Sequence, residues 1–131
     1  MTVAIERKQA VVLVVEDDRE MRSLLCDELW SEGYQLREAK DGDEALQCVT
    51  QSPPDLILSD LKMPAGGLEY VSRLHARVPG CPIVLMTGFG DAKLKADVVK
   101  AGASAYFDKP VRVAELKATI RQLLNHVSQK S

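Results

Sequence analysis

The sequence predicts a doubly wound α/β domain with a five-stranded parallel sheet. Two observations carry that prediction. Ala10 to Val15 (AVVLVV), Leu56-Ile57-Leu58 and Pro82 to Met86 (PIVLM) are short apolar runs with no polar face, as in strands covered on both sides by helices. Between the strands lie stretches with apolar residues three or four apart, the spacing of helices that bury one face. Strand and helix alternate throughout. Right-handed crossovers between parallel strands then place helices on both faces of one sheet.

The first strand, Ala10 to Val15, leads at once into Glu16-Asp17-Asp18. Asp18 can cap a helix whose inward positions are Met21, Leu24, Leu25 and Leu29, and Gly33 closes that helix. Tyr34 to Ala39 alternates weakly and carries Arg37 and Glu38, as an edge strand does. Asp41-Gly42-Asp43 is a turn and cap for a second helix with Ala45, Leu46 and Val49 inward, ending before Pro53.

Leu56 to Leu58 sits between Pro53-Pro54 and Pro64, which leaves too little room for a helix, so this run is the central strand. After a flexible loop at Ala65-Gly66-Gly67, a third helix turns Leu68, Val71, Leu74 and Val78 inward until Pro79-Gly80 stops it. The fourth strand ends in Thr87-Gly88-Phe89-Gly90. Residues 91–101 form a weaker helix with Leu94 and Val98 inward, closed by Gly102. Ser104 to Phe107 is the last strand. The final helix has Val113, Leu116, Ile120, Leu123 and Leu124 on one face and ends near Asn125.

A length of 131 residues suits one domain with a sizeable core. The formal net charge of −2 gives no electrostatic footprint for nucleic acid or for an anionic membrane surface. No run approaches the roughly 18 apolar residues of a membrane span. Residues 1–9, polar and mixed in charge, are read as a flexible N-terminus without a signal-peptide core. The domain is read over residues 10–126, and 127–131 as a frayed tail or the start of a linker. Cys26, Cys48 and Cys81 are odd in number, far apart and without a CxxC pair. They are read as small hydrophobes in a reducing compartment, the cytoplasm, and not as disulfides or a zinc site.

In open α/β sheets chemistry gathers at the carboxyl ends of the strands, at the topological switch point. There stand Glu16 and Asp17 after the first strand, Asp60 at the third, Thr87 at the fourth and Lys109 after the fifth. Each alone has a plain explanation: Asp60 could start a turn, and Glu16 to Asp18 could cap a helix, the preferred role for Asp18. Their joint placement does not. Two carboxylates about 4 Å apart repel by ~4 kcal/mol at an effective dielectric of roughly 20, so the cluster needs compensating charge. A hard cation such as Mg²⁺, which takes one or two carboxylates together with water and phosphate oxygens, supplies it. Asp17 and Asp60 are assigned to the metal and Glu16 to a role through bound water. Lys109 adds a point charge suited to phosphate, and Thr87 a hydroxyl donor. A carboxylate can attack a phosphoryl group to give an aspartyl-phosphate, and Asp60, the only carboxylate ending the central strand, is the candidate nucleophile.

These residues resemble the receiver domain of two-component response regulators, over nearly the whole chain. The acidic pair is Glu16-Asp17, the phosphoacceptor motif Asp60-Leu61-Lys62-Met63-Pro64, the strand-end hydroxyl Thr87, the Lys-Pro pair Lys109-Pro110 and the switch aromatic Tyr106. The resemblance implies a flavodoxin-like fold with strand order 2-1-3-4-5. It implies that Asp60 takes phosphate from a histidine on a sensor kinase or a histidine phosphotransfer protein, and that the chain is a phosphoacceptor promoting its own phosphorylation and dephosphorylation, not an enzyme acting on others. Asp17, Asp60 and the backbone carbonyl of Lys62 would bind Mg²⁺ directly. Thr87 would move towards the phosphoryl group and Tyr106 would turn inward. The face of fourth helix, fifth strand and fifth helix would then change partner: a downstream protein, an attached output domain or a second phosphorylated copy. No direct contact with nucleic acid or membrane is implied.

Departures from the family pattern are specific. Gly67 lies seven residues beyond Asp60 where receivers place a glycine eight beyond, so the loop is one residue short. Glu16 replaces the commoner Asp. Lys62 and Phe89 stand two residues past Asp60 and Thr87, and neither side chain has an acceptor to position an attacking water, which predicts slow self-dephosphorylation. Other readings fare worse. A haloacid-dehalogenase-type phosphatase needs a second Asp where Lys62 stands, and the acidic run Glu16-Asp17-Asp18 would repel the phosphate of a flavodoxin. A degenerate receiver that binds partners without phosphorylation is the main alternative. With no helix-turn-helix or other output domain, the chain is read as a stand-alone receiver or one excised from a larger regulator or hybrid kinase. The run Thr87-Gly88-Phe89-Gly90-Asp91 resembles receivers attached to DNA-binding activators. Trp30 is read as packing and His75 as a solvated side chain.

Overall fold

The computed structural model describes residues 9–88 and 92–129. Along the chain run β1 (Val11–Val15), α1 (Arg19–Trp30), β2 (Gln35–Ala39), α2 (Gly42–Gln51), β3 (Leu56–Asp60), α3 (Leu68–Arg77), β4 (Ile83–Thr87), α4 (Ala92–Ala101), β5 (Ala105–Asp108) and α5 (Val113–Gln129). Every strand pairing is parallel and the sheet order is β2-β1-β3-β4-β5, the flavodoxin-like order. The strands without a polar face are the central ones: β3 and β4 are buried at every position. β2, which alternates, is an edge, with Gln35 and Glu38 exposed.

Alternate residues of each central strand feed two cores. Leu13, Val15, Ile57, Ile83 and Leu85 pack beneath α2, α3 and α4 against Ala45, Leu46, Val49, Val71, Leu74 and Val98. On the other face, Val12, Val14, Leu56, Leu58, Val84 and Met86 meet Leu25 and Leu29 of α1 and Leu116, Ile120 and Leu124 of α5. Side chains start two of the helices. Asp18 accepts from the Glu20 amide at 3.0 Å, and Asp41 from the Glu44 amide at 2.8 Å. Each cap contributes about 1 kcal/mol.

Several expectations need correction. Leu24 is 51% exposed: the stripe facing the sheet is Leu25 and Leu29, and Leu24 lies about 100° round the helix from Leu25. Trp30, expected to pack, is 67% exposed for the same reason, one residue past Leu29. On α3, Leu68, expected inward, is exposed, and Tyr70 is buried beside Val71 and Leu74, with a polar partner inside. Val78 is buried but lies just past the helix, at its C-cap. α5 continues four residues beyond Asn125, and β5 begins one residue later than expected and includes Asp108. His75 is exposed, as expected, with its ring over Gly102, where a Cβ would stand 2.5 Å from the imidazole Cγ. Phe89, Gly90 and Asp91 lie outside the described residues.

The short loop after β3 is pinned, where flexibility was expected. The Gly66 amide donates to the Met63 carbonyl at 3.0 Å, the Gly67 amide to Leu61 at 3.0 Å, and the Gly42 amide of α2 to Pro64 at 3.1 Å. Ala65 takes a positive φ of 57° to close the turn. Its carbonyl presses on α2 so closely that a Cβ on Gly42 would lie 1.7 Å from the Ala65 oxygen.

Candidate functional site

The carboxyl ends of β1, β3, β4 and β5 meet on one edge of the sheet. Glu16 follows β1 directly and is tied to β2 by its amide, which donates to the Ala39 carbonyl at 3.1 Å. Asp60 and Thr87 are the last residues of β3 and β4 and are buried. The Lys109 amide donates to the Thr87 carbonyl at 2.8 Å, which carries the chain from β5 across the site. The Lys109-Pro110 peptide is cis.

Carboxylate oxygens of Glu16, Asp17 and Asp60 all lie within 4.8 Å of one another. Lys109 Nζ donates to Glu16 Oε1 at 2.9 Å and to Asp60 Oδ2 at 3.0 Å. The other Asp60 oxygen, Oδ1, accepts from the Lys62 amide at 3.2 Å, and Glu16 Oε2 from the Asp18 amide at 3.2 Å. Glu16 is 1% exposed, whereas Asp17 is exposed. Burial pushes the Glu16 pKa up, against the lowering effect of the Lys109 and Asp18 hydrogen bonds, and the neighbouring Asp17 and Asp60 push it the same way. Burial also opposes the charge on Lys109, but its hydrogen bonds to Glu16 and Asp60 prevail and its pKa is raised.

The structure thus brings Glu16, Asp17, Asp60 and Lys109 into one cluster, with Thr87 at the same edge. The Lys62 side chain is exposed, and its backbone amide donates to Asp60. Tyr106 is half-buried against the core beneath α2, α3 and α4. Sequence reasoning missed Arg22, whose Nη1 donates to the Glu16 carbonyl at 2.8 Å while its Nε pairs with Glu38 Oε1 at 3.0 Å. Nothing in its spacing announced that role. Reasoning also passed over Ser59, a polar residue inside an apolar strand, which had to find a buried partner.

The donor set fits a hard divalent cation: three carboxyl groups converge and one ammonium does not balance them. A family model described as the response regulator receiver domain matches residues 12–121. The chain belongs to this family.

This receiver domain is 32% identical over 114 residues to sporulation initiation phosphotransferase F of Bacillus subtilis (strain 168), covering 86% of this chain and 92% of that protein. It is 34% identical over 120 residues to the phosphate regulon transcriptional regulatory protein PhoB of Klebsiella pneumoniae, covering 89% of this chain. Those residues span 52% of PhoB, about half its length. Its backbone superposes with a TM-score of 0.90, at 26% identity, on a CheY-like response regulator receiver domain from Methanospirillum hungatei JF-1. That match covers 95% of this chain and 100% of the other. The receiver domain is a signalling module of two-component systems. Among its described residues no helix is long and apolar enough to cross a membrane.

Proposed function

We propose that Asp60 is the phosphoacceptor and that the phosphoryl donor is a phosphohistidine on a sensor histidine kinase or a histidine phosphotransfer protein. One observation carries the reading: Asp60 shares its site with two further carboxyl groups within 4.8 Å and with Lys109 Nζ at 3.0 Å. An Asp60 oxygen forms the O–P bond as the P–N bond to the donor breaks, and the electron pair leaves on the imidazole nitrogen. Lys109, already at the Asp60 carboxylate, sets positive charge against the equatorial oxygens, and the Thr87 hydroxyl donates to one of them. Asp17, Asp60 and the Lys62 carbonyl would hold Mg²⁺, with Glu16 acting through water. When bound, the ion supplies charge that offsets the incoming phosphoryl oxygens.

Tyr106 is the switch residue in this reading. Half-buried beside α4, it follows Thr87 when the latter closes on the phosphoryl group, and the α4-β5-α5 face exchanges its partner, whether a downstream protein, an output domain on the same chain or a second copy. The PhoB relative, of which this domain spans about half, supports the attached-domain form. Three cysteines unpaired with one another suit the reducing cytoplasm, where such a donor would act.

The test is intact mass after incubation with acetyl phosphate, with and without Mg²⁺, for the wild type and Asp60→Asn. The expected result is a Mg²⁺-dependent gain of one phosphoryl group, absent in Asp60→Asn. No gain under any condition would favour a degenerate receiver that binds its partners without phosphorylation.

A further inference from the structure

One polar pair lies deep in the apolar core beneath α2 and α3, immediately behind the acidic cluster. Tyr70 of α3 is 3% exposed, and its hydroxyl stands 2.9 Å from the Oγ of Ser59, which is wholly buried and precedes Asp60 in β3. Ser59 Oγ donates its proton to the carbonyl oxygen of Asp60 at 2.8 Å. A serine hydroxyl has only one proton, so Tyr70 is the donor between the two. The result is a directed chain, from the Tyr70 hydroxyl through the Ser59 hydroxyl to the Asp60 carbonyl.

Packing does not require this arrangement. A phenylalanine would fill the same space, and a buried phenol needs a partner merely to offset its own desolvation. Burial pushes the Tyr70 pKa up, so the hydroxyl keeps its proton for donation. The ring has a second contact. A Cβ on Gly42 would lie 3.0 Å from Tyr70 Cδ1, and the same point is 1.7 Å from the Ala65 oxygen, so Tyr70 borders the seat of the shortened loop. That loop leaves Asp60 through Leu61 and Lys62, and the Lys62 amide donates to Asp60 Oδ1.

We propose that Tyr70 is a positioning residue for the metal site: its hydroxyl, acting through Ser59, fixes the Asp60 peptide, and its ring backs the loop that brings the Lys62 backbone to Asp60. The proposal rests on the reading of Asp60 and Lys62 as metal ligands.

Calorimetric titration of Mg²⁺ alone into the metal-free protein tests it, for the wild type, Asp60→Asn, Tyr70→Phe, Ser59→Ala, the Tyr70→Phe/Ser59→Ala double variant and Val71→Ala. Val71 is a buried neighbour on α3 with no polar link to the site. Tyr70→Phe is expected to raise the Mg²⁺ Kd about three- to tenfold, the scale of one buried hydrogen bond. The double variant should bind no more weakly than Ser59→Ala, because both remove one relay. Val71→Ala should lower the Tm and leave the Kd unchanged. Wild-type affinity in Tyr70→Phe, whatever its Tm, overturns the proposal. If Tyr70→Phe does not fold, wild-type affinity in Ser59→Ala overturns it equally. A wild type that binds no Mg²⁺, or binds it no better than Asp60→Asn does, sinks the proposed metal site and this inference together. Binding lost in Asp60→Asn but intact in Tyr70→Phe sinks the inference alone.

Discussion

Lys109 Nζ lies 3.0 Å from Asp60 Oδ2, across 49 positions of sequence, and is shared with Glu16 Oε1 at 2.9 Å. A single ammonium from the end of β5 therefore serves two buried carboxylates from the ends of β1 and β3. It is a structural counter-charge before it is anything else.

Lys109→Met keeps the stem and removes that charge. The variant is expected to lose about 1–3 kcal/mol of stability, less than a fully buried pair would cost, because the Lys109 side chain remains 25% exposed. Added Mg²⁺ should raise its Tm more than it raises that of the wild type. Equal metal shifts in parallel melts would contradict this account. In the wild type, the Lys109 pKa is raised by its hydrogen bonds to Glu16 and Asp60 in spite of burial. Its stabilisation is therefore complete below the ordinary lysine range and lost as pH climbs through the raised value.

Gly42→Ala would drive a Cβ against the Ala65 carbonyl, a backbone atom that cannot swing aside. A destabilisation of about 1–3 kcal/mol in urea denaturation is expected, together with displacement of the 61–67 loop. A variant as stable as the wild type would mean that the loop has somewhere else to go.

The aspartyl-phosphate should be long-lived. The Lys62 side chain is exposed and offers no acceptor to orient an attacking water. Phosphorylated protein freed of acetyl phosphate and followed by mass should decay over minutes or longer, and Lys62→Gln should decay faster. A half-life of seconds for the wild type would refute the idea.

Two thiols should be sluggish. Burial pushes Cys81 up to about 12 and Cys26 up to about 11, with nearby carboxylates adding to both shifts. At neutral pH the thiolate fraction is correspondingly small. Alkylation of the native protein, mapped by peptide mass, should label both slowly and label them readily in denaturant. Fast native labelling at either would show that its surroundings open.

The central strands were legible because two-sided burial leaves an unbroken apolar run, and the acidic edge because carboxylates cannot be hidden in such runs without a purpose. Side-chain direction on the helices was harder to read. Leu24 and Leu25 are equally apolar, and only the phase of α1 on the sheet separates them. Tyr70 was invisible for a different reason. Its hydroxyl pairs with Ser59, 11 positions away, and no local pattern encodes that pairing. Arg22 reaches the Glu16 carbonyl only because helix α1 turns back over the end of β1, a matter of tertiary geometry.

The order in which the segments arrive gives the site a clock. A nascent chain presents Glu16, Asp17 and Asp60 to solvent long before Lys109 is synthesised, and β5 can dock only on a β4 already in place. Until then the acidic edge lacks the ammonium of Lys109. Under the function proposed above, phosphorylation is tied to completion of the sheet, and an amino-terminal fragment ending before β5 is expected to gain no phosphoryl group from acetyl phosphate even with its Asp60 intact.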